Sequence, residues 1–139
     1  MNCENLEKAK MLLSQTNSTC VLCNGQVILT DNRRGVRPLL DLLESETNIA
    51  GFSAADKVVG KAAAFLYCLL QVSHLYAAVI SQPALDVLEA AGIHTEYGQL
   101  VPAIRNRTGD GFCPMESAVW DITDANQAFN AITETLKKL

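Results

Sequence analysis

The apolar run from Val72 to Ile80 restricts the fold of this chain more than any other part of the sequence. Only Ser73 and His74 interrupt it, near its start, and it is too short to cross a membrane as a helix. A strand that is apolar on both faces is typical of a sheet covered by helices on both sides. The residues that follow, Ser81-Gln82-Pro83, begin a helix, so the sequence predicts a strand joined directly to a helix.

An antiparallel hairpin precedes this strand. The β runs Ser18–Cys23 and Gln26–Asp31 are joined by Asn24-Gly25, the dipeptide typical of a tight hairpin turn. The whole order, α-β-β-α-α-β-α-β-β-α-α, predicts a three-layer α/β/α protein with a mixed sheet. The other predicted elements are the helices Asn2–Leu13, Pro38–Glu44, Ser53–Gln71, Pro83–Ala91 and two that begin at Pro114 and after Asp124, and the strands Ile93–Tyr97 and Leu100–Ile104.

The composition is that of one globular domain covering residues 1–139, because 49% of the residues are apolar. A net charge of −4 disfavours a general nucleic-acid binder, although it is compatible with a local basic site. The segment Met1–Glu7 lacks the pattern of a signal peptide, and no apolar run reaches membrane length. We therefore expect a cytoplasmic protein that does not contact membranes; whether it forms a homo-oligomer is left open.

Four of the cysteines are interpreted as small apolar residues in a reducing cytosol. Cys20 and Cys23 form a CxxC, but they lie in a β run, where residues three apart point to opposite faces. They therefore cannot readily share a metal ion or form a disulfide. Cys3 lies in the first helix and Cys68 late in a buried one. Cys113 is the exception, because it immediately precedes a helix.

The segment Ser81–Val87, between an apolar strand and a helix, resembles the Pro-Cys-x-x-Cys zinc corner of nucleoside and nucleobase deaminases. Ala84 and Val87 occupy the two cysteine positions here. Because an apolar side chain cannot bind zinc, the resemblance extends to the fold and not to the metal. We expect no metal ion, no cofactor and no zinc-dependent deamination.

Zinc deaminases also need a His-x-Glu at the start of an earlier helix, for metal binding and for proton transfer. The matching stretch is Ala54-Ala55-Asp56-Lys57-Val58. If Asp56 replaces the histidine, Val58 takes the place of the glutamate; if Asp56 replaces the glutamate, Ala54 takes the place of the histidine. In both alignments one of the two required groups is missing.

Three motifs extend this resemblance to most of the chain. The sequence is similar to a small uncharacterised prokaryotic family, catalogued as a domain of unknown function, with a cytidine-deaminase-like fold. The resemblance implies that fold for this chain and supplies no reaction. The motifs that carry it are Gly35–Leu42, Ala55–Ala63 and Asn106–Glu116.

The motif Asp56-Lys57-x-x-Gly60-Lys61 predicts an anion site. On the helix predicted from Ser53, Asp56 completes a capping box, and Lys57 and Lys61 share one stripe near the N-terminus. Like charges at this spacing repel, and cations there oppose the helix dipole, each at a cost of about a few tenths of a kcal/mol. Gly60 in a helix costs about 1 kcal/mol relative to alanine and predicts a close approach by a backbone or a ligand. The alternative is that Asp56 only caps and both lysines are solvated.

The second motif, Asn106–Glu116, precedes a short helix. Pro114 fits the first helical position, which puts Cys113 at the N-cap and Glu116 at the third position. A thiol at a helix N-terminus near Arg107 is the best candidate for a nucleophile in this chain. The alternative is that Cys113 only caps the helix, with Glu116 reaching back to its N–H group.

The loop before this helix offers donors to an anion. We assign ligand contacts to Asn106, Arg107 and Gly111, together with Cys113 and Glu116. His74 and His94 lack a partner motif and are interpreted as structural, as are Tyr67, Phe129 and Trp120.

Two functional hypotheses follow. In the first, a metal-free deaminase-like domain binds a phosphorylated or nucleotide-like anionic ligand between the helix of Lys57 and Lys61 and the loop Arg107–Cys113. In the second, the same pocket is an enzyme site in which Cys113, Lys57 or Lys61 forms a covalent intermediate. A purely structural or oligomer-forming protein is a third, weaker hypothesis.

Overall fold

The computed structural model describes residues 3–33, 35–105, 111 and 113–138. Within them, one five-stranded sheet has the order β2-β1-β3-β4-β5. The elements are α1 Cys3–Gln15, β1 Cys20–Asn24, β2 Val27–Asp31, α2 Arg37–Glu44, β3 Ser53–Val59, α3 Lys61–Leu70, β4 His74–Ser81, α4 Gln82–Ala90, β5 His94–Val101, α5 Pro114–Ala118 and α6 Ala125–Lys137.

The sheet is mixed. Strand β1 pairs antiparallel with β2 and with β3, whereas β3, β4 and β5 run parallel. The predicted hairpin is confirmed, and Gly25 at its turn has a φ of +62°, which glycine adopts without strain. Cys20 and Cys23 lie in separate apolar clusters on the two faces of the sheet, as the β pattern predicted.

Helices cover both faces of the sheet, so the predicted three-layer α/β/α architecture is confirmed. Helix α1 packs on β1 and β3 and places Ala9 and Leu13 against Val21 and Ala55. The other face carries the larger core, to which α2, α3, α4 and α6 contribute, with α3 in contact with the other three. No helix among the described residues has the length and apolarity needed to cross a membrane.

The prediction of a helix from Ser53 is wrong at its start. Residues Ser53–Val59 form β3, and the helix begins only at Lys61. The capping-box pattern is a local signal, whereas β3 is paired on both sides, with β1 and with β4. Pairing along both edges satisfies the backbone N–H and C=O groups that a helix would otherwise satisfy. Gly60, with extended backbone angles, separates the strand from the helix.

The two short strands predicted near residue 100 are one strand, β5. Its pairing with β4 continues across Gly98, which lies between the two predicted strands, with Ala77 opposite Tyr97 and Val79 opposite Gln99. A Cβ atom on Gly98 would lie 2.9 Å from the Ala78 carbonyl oxygen. Glycine at this position therefore permits close approach of the two strands and does not end the strand.

Candidate functional site

A cleft lies between α3 and α4, the helices that follow β3 and β4, and its lining reaches from Lys61 and Gln82 at their starts to Cys68 and Ala91 near their ends. Strand β3 is separated from α3 by Gly60 alone, and β4 passes directly into α4. The cleft has a volume of about 820 Å³. Its lining residues are Lys61, Phe65, Cys68, Gln82, Pro83, Asp86, Val87, Ala90, Ala91, Pro102, Trp120, Ile122, Thr123 and Ala125.

The walls of this cleft are mainly apolar, with a few polar groups. Two aromatic residues line it: Trp120 is 39% exposed, whereas Phe65 is 3% exposed and belongs to the core. Lys61 is the one cation and Asp86 the one carboxylate among the described lining residues. Asp86 accepts a hydrogen bond from Gln82 Nε2 at 2.9 Å. A cavity of this kind orients a ligand through few polar contacts and binds the remainder by apolar burial.

Lys61 is the first residue of α3, and both its backbone N–H and its side-chain Nζ donate hydrogen bonds. Its backbone N–H donates to Glu116 Oε1 at 2.5 Å, and its Nζ donates to the Trp120 carbonyl oxygen at 2.7 Å. The Nζ also lies 5.7 Å from the centre of the Phe65 ring. Within the described residues, no carboxylate forms an ion pair with Lys61.

Glu116 caps α3 and not its own helix. The carboxylate is 1% exposed, and its Oε2 accepts a second hydrogen bond from the Ile104 N–H at 2.9 Å. A carboxylate at a helix N-terminus is stabilised by unpaired N–H groups and by the helix dipole. The predicted bond from Glu116 to the Cys113 N–H is wrong, because that N–H donates to the Ile104 carbonyl oxygen at 2.9 Å.

Gly60 is required by this carboxylate. A Cβ atom at this position would lie 2.9 Å from Glu116 Oε1 and 3.2 Å from a side-chain carbon of Ile104. The sequence predicted a close approach by a backbone or a ligand at Gly60. The group that approaches is instead the side chain of Glu116. Sequence reasoning missed this pairing because 55 residues separate Lys61 from Glu116.

The structure brings together only part of the predicted site. Gly60, Lys61 and Glu116 meet at the start of α3, whereas Lys57 is exposed on β3 and outside the lining of the cleft. The prediction that Lys57 and Lys61 share a helical stripe is therefore wrong. Gly111 is half-buried. Two further predicted contacts, Asn106 and Arg107, lie outside the described residues.

Asp56 belongs to a buried polar cluster beneath α3. Its Oδ2 accepts a hydrogen bond from the Tyr67 hydroxyl at 2.6 Å, and Cys20 Sγ lies 3.3 Å from the same hydroxyl. Burial raises the pKa of Asp56 to about 7, although the Tyr67 hydrogen bond acts in the opposite direction. Burial likewise raises the pKa of the Cys20 thiol. The sequence indicated no partner for Asp56, since Tyr67 was interpreted as a packing residue.

Cys113 is the N-cap residue of α5, as predicted, and Pro114 follows it as the first helical residue. Its side chain makes no capping hydrogen bond, and it packs half-buried against the main core. Cys113 does not line the cleft that contains Lys61. Cys113 therefore occupies the predicted N-cap position, but its side chain does not cap the helix. The reactivity of the thiol stays a prediction.

Limited alkylation with iodoacetamide at pH 8 is expected to modify Cys113 before Cys20, Cys23 or Cys68. Cys20 and Cys23 are buried, and burial raises the pKa of Cys68 to about 11. Since the thiolate is the reactive form, Cys113 should react about tenfold faster than Cys68 or more. Peptide mapping over a time course measures both rates. Modification of Cys68 first would contradict the prediction.

A zinc ion does not fit the residues at these helix starts. Helix α3 begins with Lys61-Ala62-Ala63, so the alignment of the deaminase His-x-Glu with residues 54–58, which lie in β3, is wrong. On α4 the corner positions carry the side chains of Ala84 and Val87, which have no atom that binds zinc. In the part of the chain that the structure describes, no group of three His, Cys, Asp or Glu residues could hold a metal ion.

Three layers and a cleft between α3 and α4 define a small α/β/α protein with a pocket of small-molecule size. The chain belongs to the family described as "TM1506: Domain of unknown function (DUF1893)", whose sequence profile matches residues 8–136. This confirms the family resemblance found in the sequence. No curated protein matches the chain.

The fold is similar to that of solved structures, of which two are described. The chain is similar to a DUF1893 family protein (TM1506) from Thermotoga maritima, with 27% identity and a TM-score of 0.87 over 100% of this chain and 92% of that chain. A weaker likeness links 68% of this chain to 94% of the apo form of dCMP deaminase from the cyanophage S-TIM5, with 13% identity and a TM-score of 0.44.

Proposed function

We propose that this protein binds a small anionic ligand, phosphorylated or nucleotide-like, in the cleft between α3 and α4, without zinc-dependent deamination. The observation that carries this proposal is the position of Lys61. Its Nζ lies at an apolar cleft beside Phe65, and its hydrogen bond goes to a backbone carbonyl oxygen rather than to a carboxylate.

The size and walls of the cleft support a ligand that contains a ring. Its volume of about 820 Å³ lies within the usual range for small-molecule sites. The side chains of Pro83 and Trp120 offer flat apolar surfaces, on which a planar heterocycle packs favourably. At the edge of such a ring, Gln82 can donate or accept hydrogen bonds and Asp86 can accept them.

The charged residues of the cleft limit how much negative charge the ligand can carry. Lys61 attracts one anionic group, and this attraction is stronger in a half-buried cleft than in water. Asp86 lines the same cleft and repels further negative charge. A single phosphate or carboxylate therefore fits the cleft better than a polyphosphate. Lys57 lies outside the lining, so the proposal assigns the anion contact to Lys61 alone.

Binding of AMP is expected to change the fluorescence of Trp120, the single tryptophan of the chain, because this residue lines the cleft. Lys61→Met keeps the aliphatic stem and removes the charge. It should weaken AMP binding by about 1–3 kcal/mol, the scale of a hydrogen bond to a charged group. Fluorescence titration of both proteins with AMP, adenosine and inorganic phosphate measures the difference.

Lys57→Met is the matched control, because it removes the same charge from β3 outside the cleft. It should leave the AMP affinity within a factor of about two, since a distant exposed charge is largely screened. If both substitutions weakened AMP binding equally, the affinity would depend on the net charge of the protein and not on the position of Lys61. Absence of a saturable signal with AMP would contradict this choice of ligand class.

Covalent catalysis by Cys113 or Lys61 is the alternative proposal for the same region. Cys113 is outside the lining of the cleft, and the Lys61 Nζ is held by the Trp120 carbonyl oxygen. These two positions favour binding over covalent chemistry.

A further inference from the structure

We propose that Glu116 is the positioning residue of this cleft. Its buried carboxylate fills the N-terminus of α3 from inside the protein and fixes Lys61, so that a ligand is recognised by the ammonium group and not by the helix backbone. The part of this inference that concerns the ligand rests on the proposed function. The part that concerns the carboxylate is independent of it.

The contacts of Glu116 define its role. One oxygen accepts the N–H of Lys61 and the other accepts the N–H of Ile104, so that both carboxylate oxygens are used. Gly60 leaves room for the carboxylate, because a side chain there would collide with it. This arrangement satisfies a free N–H group at the start of α3 without any external anion.

Lys61 is held at two points by the same segment. Glu116 accepts its backbone N–H, and the carbonyl oxygen of Trp120, four residues further along, accepts its Nζ. Fixing the backbone of the first helical residue determines where its side chain begins. The carbonyl contact then holds the ammonium group at the rim of the cleft, beside Phe65.

This arrangement determines which anions the cleft can take. A phosphate cannot occupy the N-terminus of α3 while the Glu116 carboxylate is there, because two anions in one place repel. The anionic group must reach the Lys61 Nζ instead. A ligand that packs on the apolar walls and extends one anionic group meets this condition better than inorganic phosphate does.

The first test uses Glu116→Gln, with Glu134→Gln as its control. Glutamine keeps the shape, but its NH₂ group faces one of the two N–H donors. Misplacing Lys61 should weaken AMP binding by about tenfold, within the scale of a lost hydrogen bond to a charged group. Glu134 is exposed on α6 and forms an ion pair with Lys137 at 3.2 Å, so its substitution should leave AMP affinity unchanged.

Gly60→Ala provides a second route to the same effect. It leaves the carboxylate chemically intact and places a methyl group 2.9 Å from its Oε1. Displacement of the carboxylate should weaken AMP binding as Glu116→Gln does. A purely structural Glu116 predicts lower stability in both variants, with the AMP affinity of the folded fraction unchanged.

Chemical rescue tests the carboxylate without AMP. Glu116→Ala empties the N-terminus of α3, and formate should then raise the melting temperature of the variant. The same concentration of formate should not raise that of the wild type, in which the position is filled. Chloride at equal ionic strength is the control for a general salt effect.

The outcomes separate the two proposals. If AMP binding depends on Lys61 and is unchanged in Glu116→Gln and Gly60→Ala, the positioning role is overturned and the proposed function stands. If the wild type does not bind AMP, the proposed function fails, and the formate experiment still decides the role of the carboxylate. If Glu116→Ala does not fold, formate should restore its folding, measured by circular dichroism, and chloride at equal ionic strength should not; absence of that difference overturns the inference.

Discussion

Replacing Asp56 by asparagine is expected to stabilise the protein above pH 7 and to have little effect below pH 4. Burial raises the pKa of Asp56 from 3.8 to about 7 in the folded protein. The carboxyl group therefore ionises in the unfolded chain at a lower pH than in the folded one. Its stabilising contribution is complete below about pH 4 and is lost as the pH rises to about 7.

The effect should amount to several kcal/mol, since one pKa unit corresponds to about 1.4 kcal/mol. Asparagine carries no charge and can still accept the hydrogen bond of the Tyr67 hydroxyl. Urea unfolding of wild type and variant between pH 4 and pH 8 measures the difference in free energy of unfolding. Because other ionisable groups are common to both proteins, their contributions cancel in this comparison.

Tyr67→Phe is the control for this prediction. The Tyr67 hydroxyl donates to Asp56 at 2.6 Å and so favours the ionised carboxylate. Removing it should raise the pKa of Asp56 further and move the loss of stability to higher pH. Identical pH profiles for wild type and Asp56→Asn would show that Asp56 titrates normally in the folded protein.

Replacing Glu116 by alanine is expected to destabilise the protein by roughly 3–5 kcal/mol. The substitution leaves the N–H groups of Lys61 and Ile104 without an acceptor, at about 1–3 kcal/mol each, and opens a cavity beside Gly60. Urea unfolding at pH 7 measures the loss.

Glu134→Ala is the comparison for this substitution. Glu134 is exposed, and surface substitutions usually change stability by less than about 0.5 kcal/mol. Glu116→Gln should lie between the two, because its amide oxygen still accepts one of the two N–H groups. A loss below about 1 kcal/mol for Glu116→Ala would mean that the buried carboxylate does not stabilise the start of α3.

The two lysines show why the predicted site was only partly right. In a helix, Lys57 and Lys61 would share one face, since residues four apart are neighbours there. Lys57 lies in a strand and Lys61 begins a helix, so this relation does not exist. The capping-box pattern from Ser53 to Asp56 is compatible with a helix start. Only the pairing of β3 with two neighbouring strands showed that a strand forms instead.

The sequence by itself determined the features that depend on local pattern. These are the hairpin at Asn24-Gly25, the apolar strand that leads into α4, the opposite faces of Cys20 and Cys23, and the helix that begins at Pro114. Each follows from a few adjacent residues, through turn geometry, side-chain periodicity or the fixed φ of proline. The same reasoning identified Gly60 as a position of close approach.

Only the tertiary structure decided what approaches Gly60 and where the charge of Lys61 lies. Glu116 comes from a segment 55 residues further along the chain, and its contact with α3 depends on how the helices pack on the sheet. No periodicity within a short window encodes such a contact. The N-terminus of α3, which the sequence presented as free for a ligand, is therefore closed by a side chain of the protein itself.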